Sequence, residues 1–290
     1  MPELPEVETI ARELRPLVHG AVVADAWLDW PRMVRHPAPD AFAAGLRGRT
    51  ILDVGRRAKW LVIDLDGGGV LVVQVKMTGQ VFVQPGELTR DRHVHLALRL
   101  ADGRELRLRD VRKFARVGLY RRDEAGAILD ADGSRELFAG HGPEPLEPGF
   151  TVRAFRARLR TRRARLKPLL LDQAFVAGIG NIYADEALWR ARLHPLRPAD
   201  TLRPADERRL YVAIRDVLAE AIERRGSSID DYTAPEGDGE MQEHLDVYRR
   251  TAQPCHRCGR PVRRIVLGAR ATHFCSWCQR LPRRGTAAPA

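Results

Sequence analysis

Residues 166–191 read "LKPLLLDQAFVAGIGNIYADEALWRA": an apolar run, a glycine-punctuated turn and a second apolar run. The pattern predicts helix, turn, helix, with the second helix starting near Asn181. Gly178 and Gly180 let backbone N–H groups converge ahead of that helix, and such groups, backed by the helix dipole, bind phosphate. Asn181 adds an amide donor. A Gly-x-Gly turn often does no more than let two helices approach. Here it follows a stretch, Arg153 to Lys167, with eight Lys/Arg and no acid, which favours the phosphate reading.

Downstream, "PADERRLYVAIRDVLAEAIERR" (204–225) is an amphipathic helix with acids in its first turn and arginines at its end. A polar, Gly-rich loop follows, Gly226 to Gln242. The last segment carries ten Lys/Arg and no acid from Val247 onward, together with all four cysteines. Cys255, Cys258, Cys275 and Cys278 are spaced C-x2-C-x16-C-x2-C, the spacing of a zinc ribbon. Two disulfides or free buried cysteines are the alternatives, and the chain shows no secretory signal that would favour disulfides. A full set of thiolates leaves no open position, so one Zn2+ here is structural, and His256 and His273 are not needed as ligands. Between the cysteine pairs, "RRIVLGARATHF" (263–274) reads as strand, turn, strand with Arg270 near the tip. A guanidinium there is either a phosphate clamp or a solvated surface charge.

Upstream the period changes to that of strands. "WLVIDLDGGGVLVVQV" (60–75) and "HVHLALRLADGRELRLRD" (93–110) read as two hairpins around glycine turns. Short apolar runs at 21–27, 50–54, 81–83 and 117–120 complete a set that suggests an antiparallel sandwich. "GPEPLEPG" (142–149) reads as a linker. The first residues, "MPELPEVETIARELRPL", form an amphipathic helix with Pro5 and acids in its first turn, ended or kinked by Pro16. A net charge of +11 over 290 residues, with arginines clustered, points to a polyanion partner. No run approaches the ~18 apolar residues of a membrane span. The acidic, amphipathic start is unlike a signal or transit peptide, so a cytoplasmic protein is expected.

Helix rules leave Pro2 and Glu3 unexplained. Removal of Met1 would expose a secondary amine with a pKa of roughly 8, partly unprotonated near neutrality. Such an amine attacking an aldehydic carbon gives an iminium, an electron sink for elimination. Glu3 beside it can move protons. The bland alternative is an ordinary chain terminus.

The motifs "MPELPEVET", "GRRAKWLV" (55–62), "GPEPL" (142–146), "KPLLLDQAFVAGIGNIYADEALW" (167–189) and the four-cysteine finger occur in one order over residues 1 to about 280. Together they resemble the bacterial formamidopyrimidine-DNA glycosylases, the family that includes endonuclease VIII. The resemblance implies an α+β multidomain fold. Its parts are an N-terminal helix and antiparallel β-sandwich (1–140), a linker (141–150), a helix–two-turns–helix domain (151–248) and a zinc-finger hairpin (249–282). A disordered tail (283–290) would complete the chain. It implies a monomer that excises oxidised purines from duplex DNA containing a damaged base and cleaves the strand by β,δ-elimination, with no membrane partner. Pro2 then resembles the nucleophile, Glu3 its acid/base partner, Glu6 a supporting carboxylate and Lys59 a catalytic, phosphate-contacting lysine. Lys167 resembles a phosphate- or base-proximal lysine, and Asn181 and Arg270 resemble the phosphate grip, Arg270 serving the reaction as well. Met77, Arg112 and Phe114 match an intercalating triad, and His93 is a further phosphate contact, whereas His95 reads as packing.

The sequence also departs from the family pattern. "DPRRFG" is here "DVRKFA" (110–115), Gln74 stands where His is common, and an aromatic loop motif around "GYFQ" reads "GEMQ" (239–242). These differences bear on lesion preference and leave the nucleophile alone. The alternatives are an endonuclease VIII-like preference for oxidised pyrimidines and a non-catalytic damage-binding protein, against which Pro2, Glu3 and Lys59 argue. An N-terminal-proline tautomerase would have no use for a zinc finger.

Overall fold

The computed structural model describes residues 2–228 and 237–281. The chain divides into two compact units, Met1–His141 with Ala221–Gln242, and Gly142–Glu220 with Glu243–Ala290.

The first unit starts with α1 (Leu4–Val18), whose Val7, Ile10, Ala11, Leu14 and Val18 are buried at helical spacing. Pro16 does not end it. The helix runs two residues further, because a proline so near the C-terminus forfeits only one late hydrogen bond, and His19 N closes the end onto Arg15 O at 3.0 Å. The strands that follow are β1 (Val23–Leu28), β2 (Val34–His36), β3 (Ile51–Arg57), β4 (Trp60–Leu65), β5 (Gly69–Gln74), β6 (Gly79–Pro85), β7 (Val94–Leu100), β8 (Arg104–Asp110), β9 (Arg116–Arg122) and β10 (Ile128–Leu129). A short helix, α2 (Pro39–Leu46), lies between β2 and β3.

They form two sheets, ordered β1-β7-β8-β6 and β10-β9-β5-β4-β3, with β2 parallel on β9. The two expected hairpins are β4–β5 and β7–β8. Their turns use glycines in the left-handed region, Gly67 and Gly68 in the first and Gly103 in the second. Alternate residues of facing strands, Leu61, Ile63, Leu71 and Val73 from one sheet and Leu96, Leu98, Leu106 and Leu108 from the other, share one core with α1. This is the expected sandwich.

Ala221–Gln242 belongs to this unit although the sequence reading placed it in the helical domain. Hydrogen bonds hold it there. Arg225 Nη2 donates to Glu13 Oε1 at 2.7 Å, and Ser227 N donates to Glu6 Oε1 at 2.8 Å.

The second unit contains α3 (Val152–Arg160), α4 (Leu166–Leu171), α5 (Asn181–Arg190) and α6 (Pro204–Glu223), the last residues of α6 passing into the first unit. Thr151 caps α3 by accepting from Ala154 N at 3.2 Å. Part of the Arg cluster is structural: Arg156 and Arg160 pair with Glu207 at 3.0 and 2.9 Å, and Arg158 donates to Phe175 O at 3.1 Å. The stretch read as a linker is fastened to this unit. Gly142 N donates to Gln173 O, Arg215 donates to Pro145 O at 2.7 Å, and Phe150 stacks on Tyr211.

The finger hairpin, β11 (Arg263–Leu267) and β12 (Arg270–Phe274), follows. Trp189 of α5 and Val247 share a core with Cys255, Val262 and Cys275, so finger and helices fold as one body. The boundary at 248/249 marks a change of motif within it. The tail expected to be disordered (283–290) lies outside the described residues. No helix among them is long and apolar enough to cross a membrane.

A buried carboxylate sets the entry to the finger. Glu186 of α5 accepts from the backbone N–H groups of Asp246, Val247 and Tyr248 at 2.8–2.9 Å. Burial pushes its carboxyl up to about 7 against the pull of those donors. Glu186→Ala leaves three N–H groups, one buried and two partly buried, without their acceptor. It is expected to cost roughly 3 kcal/mol, read as a lower denaturant midpoint of the metal-loaded protein.

Candidate active site and nucleic-acid interface

In the first unit the candidate catalytic residues stand at the start of α1. Pro2, Glu3 and Glu6 are all buried. Glu3 is the N-cap and its side chain accepts from the Glu6 backbone, while Glu6 Oε2 accepts from Glu3 N at 2.8 Å. This is a capping box built from two glutamates. The second oxygen of Glu6 takes Ser227 N, so one carboxylate fixes the residue after Pro2 and the loop that follows α6. Gly226, at φ +73°, makes that possible. A Cβ there would lie 2.8 Å from Glu6 Oε1.

The same loop is closed on itself. Met241 N donates to Gly226 O, Gly239 N to Ser228 Oγ, and Ser228 N to Gln242 Oε1 at 3.0, 2.9 and 3.0 Å. Gln242 Nε2 returns a bond to Gly239 O. Within "GEMQ", Gly239 and Gln242 are therefore committed to the base of the loop, and Met241 is buried.

Lys59 is half-buried in the β3–β4 turn, after Ala58, which holds a positive φ of 53°. Arg56 ties this turn down. It donates to Ala58 O at 3.1 Å and pairs with Glu8 of α1 at 3.2 Å, with only 6% of its side chain exposed. Glu8, legible in sequence only as a dipole partner, also holds the lysine-bearing turn to α1.

Met77, Arg112 and Phe114 come together from two turns. Arg112 Nη1 lies 3.4 Å from Met77 Sδ, and its guanidinium sits 4.7 Å from the centre of the Phe114 ring. Phe114 is 43% exposed, unlike a core residue. His93 is half-buried, bonded to Arg92 at 3.2 Å. His95 is buried and bound to Asp29 at 2.9 Å, in keeping with packing.

In the second unit, Asn181 opens α5 behind Gly180 as its N-cap, and its Oδ1 is buried without a hydrogen-bond partner among the described residues. The glycine turn is only partly available to a ligand, because Gly178 N already donates to Gln173 Oε1 at 2.9 Å. Arg270 is exposed at the hairpin tip, next to Gly268 and Ala269, both at positive φ.

Lys167, read as a phosphate- or base-proximal lysine, lies inside the second unit. It is fully buried, 2.7 Å from Asp185 and donating to Ala271 O at 2.8 Å. Asp185 also accepts from His273 N at 2.8 Å. A lysine so enclosed fixes β12, and with it Arg270, and its ammonium does not face solvent.

The cysteines meet the geometric demand of a tetrahedral ion. All four sulfurs lie within 4.8 Å of one another. The 4.0 and 3.6 Å pairs bracket the separation of about 3.8 Å set by Zn–S bonds of ~2.3 Å, and are far too long for S–S bonds.

A capped N-terminal helix on a β-sandwich, a helix–turn–helix unit and a four-thiolate finger define a nucleic-acid-handling protein with a metal-stapled finger. Three family descriptions match in succession: "Formamidopyrimidine-DNA glycosylase N-terminal domain" over residues 1–117, "Formamidopyrimidine-DNA glycosylase H2TH domain" over 141–233, and "Zinc finger found in FPG and IleRS" over 252–281. The formamidopyrimidine-DNA glycosylase of Chloroflexus aurantiacus is 50% identical over 96% of this chain and 98% of its own. The crystal structure of the MutM (Fpg) protein from Thermus thermophilus superposes with a TM-score of 0.83 at 44% identity, covering 96% and 98% of the two chains. Lactococcus lactis Fpg bound to DNA containing an abasic site gives 0.85 at 34% identity, over 96% and 100%. The chain belongs to the formamidopyrimidine-DNA glycosylase family.

Gly226→Ala should cost about 1–2 kcal/mol from backbone strain alone. It should also displace Glu6, so that amide exchange at Ser227 accelerates. Unchanged exchange and stability would show that the Glu6 clamp is unimportant.

Proposed function

We propose that the protein is a bifunctional DNA glycosylase and abasic-site lyase, acting as a cytoplasmic monomer on oxidised purines such as 8-oxoguanine and formamidopyrimidines in duplex DNA. The observation that carries this reading is the clamped N-terminus. Pro2, whose nitrogen becomes a secondary amine once Met1 is removed, sits beside the Glu3 carboxylate in a buried setting that fraying would otherwise destroy. The names of the relatives, and a Lactococcus lactis Fpg variant bound to DNA containing Fapy-dG, support the substrate class.

In this reaction Pro2 nitrogen, freed by removal of Met1, bonds to the anomeric carbon as the bond to the damaged base breaks. The base leaves with a proton. The sugar ring opens as its oxygen takes a proton, leaving an iminium at Pro2. Loss of a C2′ proton expels the 3′ phosphate. A second elimination expels the 5′ phosphate, and water releases the sugar fragment from the amine. Glu3 carries protons in these steps and Lys59 assists beside the phosphate. The damaged nucleotide must leave the stack, at a cost of a few kcal/mol. Met77, Arg112 and Phe114 occupy the gap. Asn181 and Arg270 grip the flanking phosphates, with His93 as a further contact.

The four thiolates fit one Zn2+, which supplies structure and no chemistry. Chelation is expected to remove one zinc per chain and abolish DNA binding, with both restored by added zinc. Borohydride added during turnover on 8-oxoguanine duplex should trap a covalent protein–DNA adduct, lost in Pro2→Gly. Absence of an adduct with any oxidised base or abasic site would overturn the enzyme reading.

A further inference from the structure

Asp110 is fully buried at the end of β8, with Arg116 as a charged neighbour and no ion pair among the described residues. Its carboxylate accepts hydrogen bonds from two turns. Oδ1 accepts from the Thr78 hydroxyl and, at 3.2 Å, from Arg112 N. Oδ2 accepts from Ala115 N at 2.6 Å. Arg112 N also lies 3.3 Å from Thr78 Oγ1, so the hydroxyl is shared between both turns. The first turn carries Met77, and the second carries Arg112 and Phe114.

Both turns need such a brace. Lys76 and Lys113 hold positive φ values of 58° and 56°, which disfavour side-chain-bearing residues. Gly79 closes the first turn through Gly79 N to Val75 O at 3.0 Å, and a Cβ there would collide with that carbonyl. The second turn begins with Val111, 48% exposed, and its backbone is held by the donation of Arg112 N and Ala115 N to the Asp110 carboxylate.

We propose that Asp110, acting through Thr78, is a positioning residue for base extrusion. It joins the two turns so that Met77, Arg112 and Phe114 enter the duplex as one wedge. The inference rests on the wedge reading given above. The Asp110–Thr78 link touches no reacting atom, so it acts on the step that unstacks a base and not on the chemistry that follows. A preformed abasic site has no base to unstack, which separates the two.

The test uses the full-length, zinc-loaded protein and variants Asp110→Asn, Thr78→Val and Thr78→Ser. In Asp110→Asn either orientation of the amide sets an N–H2 group against a backbone N–H or takes an acceptor from Thr78. Thr78→Val keeps the volume and removes the hydroxyl, and Thr78→Ser restores it. Two single-turnover rates are measured for each: excision of 8-oxoguanine, and scission at a preformed abasic site. Fluorescence of 2-aminopurine beside the lesion reports unstacking.

Asp110→Asn and Thr78→Val are expected to slow excision by roughly tenfold or more, with scission within about twofold of the parent and a weaker fluorescence rise. Thr78→Ser is expected to behave as the parent. Equal loss of both rates would reduce Asp110 to a fold-stabilising role and overturn the proposal, as would excision at the parental rate. If the parent protein itself performs neither reaction, the functional reading fails, and it does so before any variant is compared.

Discussion

The two oxygens of Glu6 carry the heaviest structural duty in the first unit. One holds Glu3 N and the other holds Ser227 N, both at 2.8 Å. A chain terminus ordinarily frays, since nothing follows it on one side to hold it. Here the N-cap, the first helical turn and the loop after α6 share one buried carboxylate, and that enclosure keeps Pro2 and Glu3 in place. Glycine at 226 is the steric condition for it. Hydrogen bonds from backbone N–H to a carboxylate are among the stronger kinds available, so the fastening is firm without a large apolar contact.

The second unit uses buried charge for a comparable purpose. Lys167, Asp185 and the backbone of Ala271 and His273 tie α4 and α5 to β12, and Glu186 ties α5 to the segment entering the finger. An ion pair of this kind adds little net stability, because desolvation opposes the attraction, but it penalises any arrangement that separates its members. The finger is thus set on the helices by directional contacts, while the thiolates set its internal shape.

Much of this was legible beforehand, and for identifiable reasons. Alternation around glycine turns gave the two hairpins, because a half-buried strand must alternate. The cysteine spacing gave the finger, because a four-thiolate site constrains the chain so tightly. Pro2 and Glu3 stood out because helix rules left them over. Other features depend on which residues meet across the fold, and sequence spacing is silent on that. Lys167 looks like any lysine in a basic run until Asp185, 18 residues later, is found against it. Arg156, Arg158 and Arg160 read as a phosphate surface, yet they are bound to Glu207 and a backbone carbonyl. Pro16 reads as a stop and is tolerated because the helix had almost ended. Asp110 and Thr78, far apart along the chain, gave no local sign of sharing a hydrogen bond.

The fastening at Gly226–Ser228 and Gly239–Gln242 has a consequence for how far a mutation reaches. The two stems are bonded to each other and, through Glu6, to α1. A substitution at Gly226, Ser228, Gly239 or Gln242 is therefore felt at the first turn of α1, although the Glu6–Ser227 bond spans 221 positions of sequence.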